Sequence, residues 1–204
     1  IQGIGGINIP ERNFLEELKR LTERNGSLLI LDEIQSGYGR TGRFFAHQYT
    51  SARPDIITMA KGMGNGFPLG GVLIRPDINP WPGMLGTTFG GNHLACAAGI
   101  AVLDVLEKEK LIRNAETMGE YLMNEVESIS SSIQVRGKGL MIGMEFRFPV
   151  SGLRKELLYE QKIFTGFSGQ NIIRLLPSLT LGKDEADIFL TAFKQTFIKV
   201  SASL

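Results

Sequence analysis

An α/β fold is predicted, with a partial large domain on a mostly parallel sheet and a smaller C-terminal α+β domain. Three observations carry it. A helical pattern runs straight into the continuous apolar stretch Ser27-Leu-Leu-Ile-Leu-Asp32, as expected for a parallel strand covered on both faces. A second short apolar run, from Asp55 to Met59, ends two residues before Lys61 and a glycine-dense turn. After Lys108 the character changes to charged amphipathic helix and short strands, which places a boundary between 1–109 and 110–204.

Taken in order, residues 1–9 read as a strand end and a Gly-rich loop. Pro10 suits the first turn of a helix whose Phe14, Leu18 and Leu21 share one face. Asn25-Gly26 stops it. Gly37, Gly39, Gly42 and Pro54 make 36–54 a loop. Gly70–Ile74 is a third strand. The polar turn Gly86–Asn92 leads into a helix over about 92–108, whose small residues Ala95, Ala97, Ala98, Gly99 and Ala101 are expected to pack on the sheet. Leu111 to Ser128 is an amphipathic helix. Strands follow at 133–136, 140–146, 163–164 and 171–176. The last helix, over about 184–199, carries Phe189, Phe193 and Phe197 as a core stripe.

The 204 residues, 43% hydrophobic, are enough for one large or two modest cores, and the net charge of +1 comes without a basic stripe. Neither nucleic acid nor a membrane is expected as a partner, since no apolar run approaches the roughly 20 residues of a membrane span. The single cysteine, Cys96, allows no internal disulfide and fits a reducing cytosol, so a cytoplasmic location is expected. His47 and His93 stand far apart without a cysteine cluster, so no metal site is expected. With no initiator Met, the sequence reads as the C-terminal portion of a longer protein.

Lys61 is an odd residue to follow a buried strand, because an ammonium group is costly to bury. Burial would lower its pKa and make it a nucleophile toward carbonyls, suited to a Schiff base. A plain loop lysine is the alternative. Asp32 also ends a predicted strand, and ligands of open parallel sheets sit at the carboxyl ends of the strands. A lysine and a carboxylate converging there are what a pyridine-aldehyde cofactor needs; an ordinary ion pair needs no more. Gly37-Tyr-Gly39-Arg-Thr-Gly42 is a literal G-x-G-x-x-G, but four residues separate it from the strand and no convincing helix follows. It keeps a dinucleotide-binding dehydrogenase as an alternative of another class. Leu28–Glu33 looks like the acidic strand of a nucleotide hydrolase, without a G-x-x-x-x-G-K-[ST] loop to accompany it.

Leu31-Asp-Glu-Ile-Gln-Ser-Gly37, Gly39-Arg-Thr-Gly42, Pro54-Asp55, Ala60-Lys61-Gly62, Gly66-Phe-Pro-Leu-Gly70 and Gly86-Thr-Thr-Phe-Gly-Gly-Asn92 follow one another in one order. With Arg136–Gly143 and Ile172–Pro177, this resembles the C-terminal half of the class III (ornithine-type) pyridoxal-phosphate aminotransferases of fold type I. The resemblance implies pyridoxal 5′-phosphate as cofactor. It implies that Lys61 binds the cofactor aldehyde and then moves a proton between substrate and cofactor. Asp32 would pair with the pyridine nitrogen, Ile34 pack on the ring face and Gln35 approach the ring hydroxyl. Thr88, with Thr87 beside it, would reach the phosphate in the partner subunit of a homodimer with shared sites. Arg174 would grip the α-carboxylate of glutamate or 2-oxoglutarate, as its planar fork allows; a surface arginine on a strand is the plainer alternative.

The members it resembles most transfer the δ-amine of N-acetylornithine or N-succinylornithine to 2-oxoglutarate, for arginine biosynthesis. Ornithine, 4-aminobutyrate and diamines are the alternative donors, and an inactive folding or dimer module is a further alternative. Two positions depart from the family pattern: Ile4 stands where glutamate is usual, and His93 where proline is common. That glutamate masks the carboxylate-binding arginine in many ω-amine transferases, so Ile4 is expected to leave Arg174 unmasked. His93, at a helix start, is expected to be structural. The phosphate cup and a second substrate arginine belong to the family's N-terminal half, and these residues alone are expected to hold the cofactor poorly or not at all.

Overall fold

Helix α1 (Phe14–Arg24) begins later than Pro10 predicts, with Asn13 at its cap position and Glu16 and Glu17 in the first turn, where carboxylates complement the helix dipole. It ends at Asn25, and Gly26 takes the left-handed backbone (φ +61°) that a helix stop favours. Its expected core face is not buried: Phe14 and Leu21 are exposed among the described residues. The structure, a computed structural model, describes residues 1–84 and 86–202. Residues 203–204 of the expected C-terminal domain therefore lie outside the description.

Strands β1 (Ile30–Asp32), β2 (Ile56–Met59) and β3 (Gly71–Ile74) form one sheet in that order. The expected mostly parallel sheet is mixed within this chain: β1 and β2 are parallel, β2 and β3 antiparallel. Residues 60–70 join β2 to β3 without a crossover helix, and a short connection returns the chain antiparallel. β1 is also shorter than the apolar run that signals it, and Leu28 and Ile30 are exposed. Asp55 ties this unit together. Its buried carboxylate accepts from Lys19 Nζ (2.8 Å) and the Leu29 amide (2.7 Å) and pairs with Arg75. Burial alone would raise this carboxyl; the Lys19 ammonium, the Leu29 amide and Arg75 outweigh it and hold it below the ordinary aspartate value.

Asn92 caps helix α2 (His93–Lys108), its side chain accepting from the Ala95 amide at 2.9 Å. His93 opens the helix and is exposed. The small residues do not line the sheet as expected. Ala95 and Gly99 are buried, and a Cβ on Gly99 would meet Leu69 Cδ2 at 2.9 Å, so α2 lies over the loop that follows Lys61; Ala97 and Ala101 are exposed.

Helix α3 (Leu111–Ile129), strands β4 (Gln134–Lys138) and β5 (Met141–Glu145), helix α4 (Ser151–Tyr159), strands β6 (Gly166–Ser168) and β7 (Ile172–Leu175), and helix α5 (Lys183–Ser201) complete the chain. The second sheet has the order β4-β5-β7-β6, all antiparallel. Ile163–Phe164 is not a strand, and the edge strand β6 lies slightly later. Helix α4 was not legible as a separate element. Ala115, Leu122 and Val126 of α3, Ile142 and Met144 of β5, Ile173 of β7 and Phe193 of α5 form the main core. The aromatic stripe of α5 is stacked, with ring centroids 5.6 Å (Phe189–Phe193) and 6.0 Å (Phe193–Phe197) apart.

The first residues form a reversed turn rather than a strand end. Gln2 and Asn8 exchange backbone hydrogen bonds of 3.0 and 3.1 Å. The enclosed loop lies on the second sheet, where Ile7 is fully buried at φ +60°.

Candidate active site

The carboxyl ends of β1 and β2 sit side by side, with Asp32 opposite Thr58 in register. Parallel pairing thus brings Asp32 and the segment leading to Lys61 to one edge of the sheet. Asp32 is exposed, and its Oδ1 accepts from the Ile34 amide at 3.0 Å, which turns the chain sharply after the strand. The hydroxyl of Thr58 is buried with no hydrogen-bond partner among the described residues.

A cavity of about 470 Å³ opens here. Ile34, Gln35, Tyr38, Lys61 and Asn65 line it from the first sheet's loops, Ala101, Val102, Val105 and Leu106 from α2, and Leu176, Ser178, Leu179 and Thr180 from the segment after β7. Lys61 is not the buried strand-end lysine the apolar run predicts. β2 stops at Met59, and Lys61 opens a short 3₁₀ turn, exposed at the cavity. Its φ is +47°; Tyr38 (φ +54°) and Asn65 (φ +44°) are left-handed too. A non-glycine residue in this region costs about 1–3 kcal/mol and persists where its surroundings over-determine it. Three such residues around one cavity mark a built site, and this signal has no counterpart in the sequence.

Glu33 is the residue that sequence reasoning passed over. Only 4% exposed, it accepts from the Ser36 hydroxyl, the Ala46 amide (3.0 Å) and the His47 amide (2.8 Å), and contacts His47 Nδ1 at 3.1 Å. Burial would raise its carboxyl; the His47 and Ser36 side chains and the two amides outweigh burial and hold it below the ordinary glutamate value. These bonds fold residues 36–47 back onto the strand end from which Ile34 and Gln35 project. The adjacent acidic pair Asp32-Glu33 was visible, but not which carboxylate would turn inward.

The glycines of Gly37–Gly42 serve packing rather than a phosphate turn. The following element is the 3₁₀ turn Ala46–Tyr49, and no helix opens there. A Cβ on Gly39 or Gly42 would meet Ile112 or Glu116 of α3 at 3.0 Å. The dinucleotide reading therefore loses its structural context. Arg40 crosses to the Pro177 carbonyl, and burial pushes its guanidinium below the ordinary value.

Arg174 lies on β7 and lines a second, apolar cavity of about 350 Å³ that shares Leu176 with the first. Its Nη1 donates to the Gly3 carbonyl at 3.0 Å, while its Nε is buried without a partner among the described residues. A buried, unpaired guanidinium donor suits an anionic ligand. Ile4 is 82% exposed, and its carbonyl accepts from Ser168 Oγ. Thr87 and Thr88 stand apart from both cavities, exposed in the turn before α2. The structure thus gathers Lys61, Ile34 and Gln35, sets Asp32 and Arg174 nearby, and leaves Thr87 and Thr88 outside.

A mixed α/β unit with a lysine, an amide and an apolar side chain at the carboxyl edge of parallel strands is the frame of a cofactor-dependent transferase. The aminotransferase class-III family model matches residues 1–197, and the chain belongs to that family. It is 39% identical over 197 residues to the acetylornithine aminotransferase of Methanosarcina acetivorans, covering 96% of this chain and 50% of that protein. It is 41% identical over 192 residues to ornithine aminotransferase 1 of Staphylococcus saprophyticus (92% of this chain, 48% of that one). The ornithine aminotransferase of Toxoplasma gondii superposes on the whole chain and on 51% of its own, with TM-score 0.94 and 32% identity; a structure of it crystallised in the presence of oxidised glutathione shows partial occupancy of PLP at the active site. The chain spans about half the length of the curated relatives it matches. Pyridoxal phosphate is the cofactor of this family. The amine, amide and apolar side chain at the first cavity, the exposed carboxylate beside them and the orphaned Arg174 Nε fit that cofactor and an anionic substrate.

Proposed function

We propose that the whole protein is a pyridoxal-phosphate transaminase that moves the δ-amine of an N-acylated ornithine, acetyl or succinyl, to 2-oxoglutarate. Lys61, Ile34 and Gln35 lining one cavity beside Asp32 is the observation that carries the reading. The acetylornithine enzymes among the relatives favour an acylated donor, in arginine biosynthesis; an ornithine aminotransferase stands at similar identity, so free ornithine is the competing donor. In this reading the work is cytoplasmic, residues 1–109 belong to the cofactor domain and 110–204 form the small domain. No described helix is long and apolar enough to cross a membrane.

The bound cofactor supplies an electron sink for the carbon that bears the transferred amine. Lys61 contributes the amine that anchors the aldehyde and carries the proton to and from that carbon. Asp32 holds a proton on the ring nitrogen by pairing with its positive charge. Ile34 gives the ring an apolar face, and the Gln35 amide donates to its hydroxyl. Arg174 offers its unpaired Nε–H to a substrate carboxylate. Thr87 and Thr88, which line neither of this chain's cavities, serve the phosphate of the other subunit in a homodimer with shared sites.

The test is spectroscopic. Loaded with pyridoxal 5′-phosphate, the complete polypeptide is expected to show a visible absorbance band that borohydride bleaches; Lys61→Ala is expected to lack it. A borohydride-sensitive band that survives in Lys61→Ala refutes the assignment. Comparing acetylornithine, succinylornithine and ornithine as donors by kcat/KM decides the substrate.

A further inference from the structure

Arg174 lies on the second sheet and Gln35 in the turn that follows β1, yet both end on one glycine. Arg174 Nη1 donates to the Gly3 carbonyl, and the Gln35 amide oxygen lies over the Gly3 α-carbon, only 1.6 Å from where a Cβ would stand. Neighbouring peptides of the loop are held by the second sheet. Ser168 Oγ donates to the Ile4 carbonyl, and Arg136 Nε to the Gly6 carbonyl at 3.0 Å. A Cβ on Gly143 of β5 would meet the Gly6 carbonyl at 2.9 Å, so the loop lies tightly against that sheet. Fully buried Ile7, left-handed despite its β-branch, shows the same over-determination.

We propose that Gly3 is a positioning residue that couples the two ends of the site: its bare α-carbon seats the Gln35 amide while its carbonyl fixes the Arg174 fork. The inference rests on the assignment of Gln35 to the cofactor and of Arg174 to a substrate carboxylate. Gly3 does not touch either ligand. It acts through the two side chains that do. Three physical points carry the coupling. The carbonyl that holds Arg174 is main chain, so its place is set by the loop rather than by a side-chain rotamer. It engages one prong of the fork and leaves Nε unpaired. Any shift of the Gly3 peptide moves the seat of Gln35 and the anchor of Arg174 together.

A methyl at Gly3 would evict Gln35. The nearest atoms to the added Cβ are the end of that flexible side chain and, at 3.0 Å, Met141 Cε, so the fold can accommodate it. The control is Gly5→Ala in the same loop, whose added Cβ would have atoms of Asn8 and Gln2, not of Gln35 or Arg174, as its nearest neighbours.

The experiment measures pyridoxal 5′-phosphate affinity by equilibrium dialysis, and the rise in Tm given by glutarate, an unreactive dicarboxylate, in the complete polypeptide. Gly3→Ala is expected to weaken cofactor binding roughly 3- to 10-fold, the worth of about one hydrogen bond, and to reduce the glutarate shift; Gly5→Ala is expected to change neither. In a Gln35→Ala background the seat is empty, so adding Gly3→Ala is expected to weaken the cofactor no further. A purely structural glycine would not show this rescue. If Gly3→Ala alone fails to fold, the double variant is expected to fold, and its failure overturns the proposal. Additive losses in the double variant, or a Gly3→Ala protein identical to wild type, also overturn it. Failure of the wild type to bind the cofactor defeats the underlying site assignment as well, and so is told apart from failure of the coupling.

Discussion

Glu33→Gln is the sharpest probe of how the cavity is held open. The two oxygens of Glu33 are used separately: Oε2 accepts from Ser36 Oγ and the Ala46 amide, Oε1 from the His47 amide and faces His47 Nδ1. Glutamine has one acceptor oxygen. Whichever way its amide is turned, the NH₂ is set against a main-chain N–H, at 3.0 Å for Ala46 or 2.8 Å for His47. One donor is orphaned and two donors face each other, which costs about 1–3 kcal/mol. Glu33→Ala orphans both amides; because they are only partly buried, water reaches them and the loss is about 2–4 kcal/mol. Equilibrium urea denaturation at pH 7 reads both. The pH dependence gives a second check. The folded-state carboxyl is held below 4.5, the ordinary glutamate value, so its contribution is complete above about pH 4.5 and is lost as pH falls through the lower folded value. The gap between wild type and Glu33→Gln is therefore expected to narrow below about pH 4.5. A glutamine variant as stable as wild type at pH 7, or a gap that stays constant with acidification, refutes the reasoning.

Three further outcomes are expected. Gly119→Ala is favoured by helix propensity by about 1 kcal/mol, but its Cβ would lie 2.0 Å from the Gly139 carbonyl oxygen, a main-chain atom; a net loss of about 2 kcal/mol or more is expected from overpacking, and a gain in chemical stability counts against the contact. Phe193→Ala empties a fully buried position between two stacked rings and is expected to cost about 3–5 kcal/mol by denaturant midpoint; a loss under about 1 kcal/mol means the stripe does not form the core. Ile4→Glu places a carboxylate in the loop beside Arg174 and is expected to shift the ratio of kcat/KM between amine donor and 2-oxoglutarate; an unchanged ratio removes Ile4 from any part in substrate exchange.

Local pattern carried a good deal of this protein. The apolar runs located β1 and β2, and Asn92 capped α2 as its position implies. The phenylalanine period identified α5, because a face of large apolar residues every third or fourth position has few ways to be buried other than as a helix. The ordered motifs around Asp32 and Lys61 sufficed to mark the family. Periodicity does not record which side of an element finds cover. Leu28, Phe14 and Leu21 read as core and are exposed; Glu33, to which the pattern assigns no side, is buried. Helix α4 escaped because nine residues bury only Leu153 and Leu157, too short a pattern to separate from loop.

Lys61 shows the division most plainly. Its place after an apolar run is sequence; its left-handed backbone, its exposure and its company at the cavity are decided by the packing of the loops around it. Likewise the sequence contains Gly3, Gln35 and Arg174 without any sign that they meet. Contacts between positions so distant in the chain are set by how two sheets and a loop close together, and residue type alone does not encode them. The sequence by itself determined the elements, the chemistry available and the family; the tertiary structure decided which carboxylate turns inward, where the lysine opens and what the arginine holds.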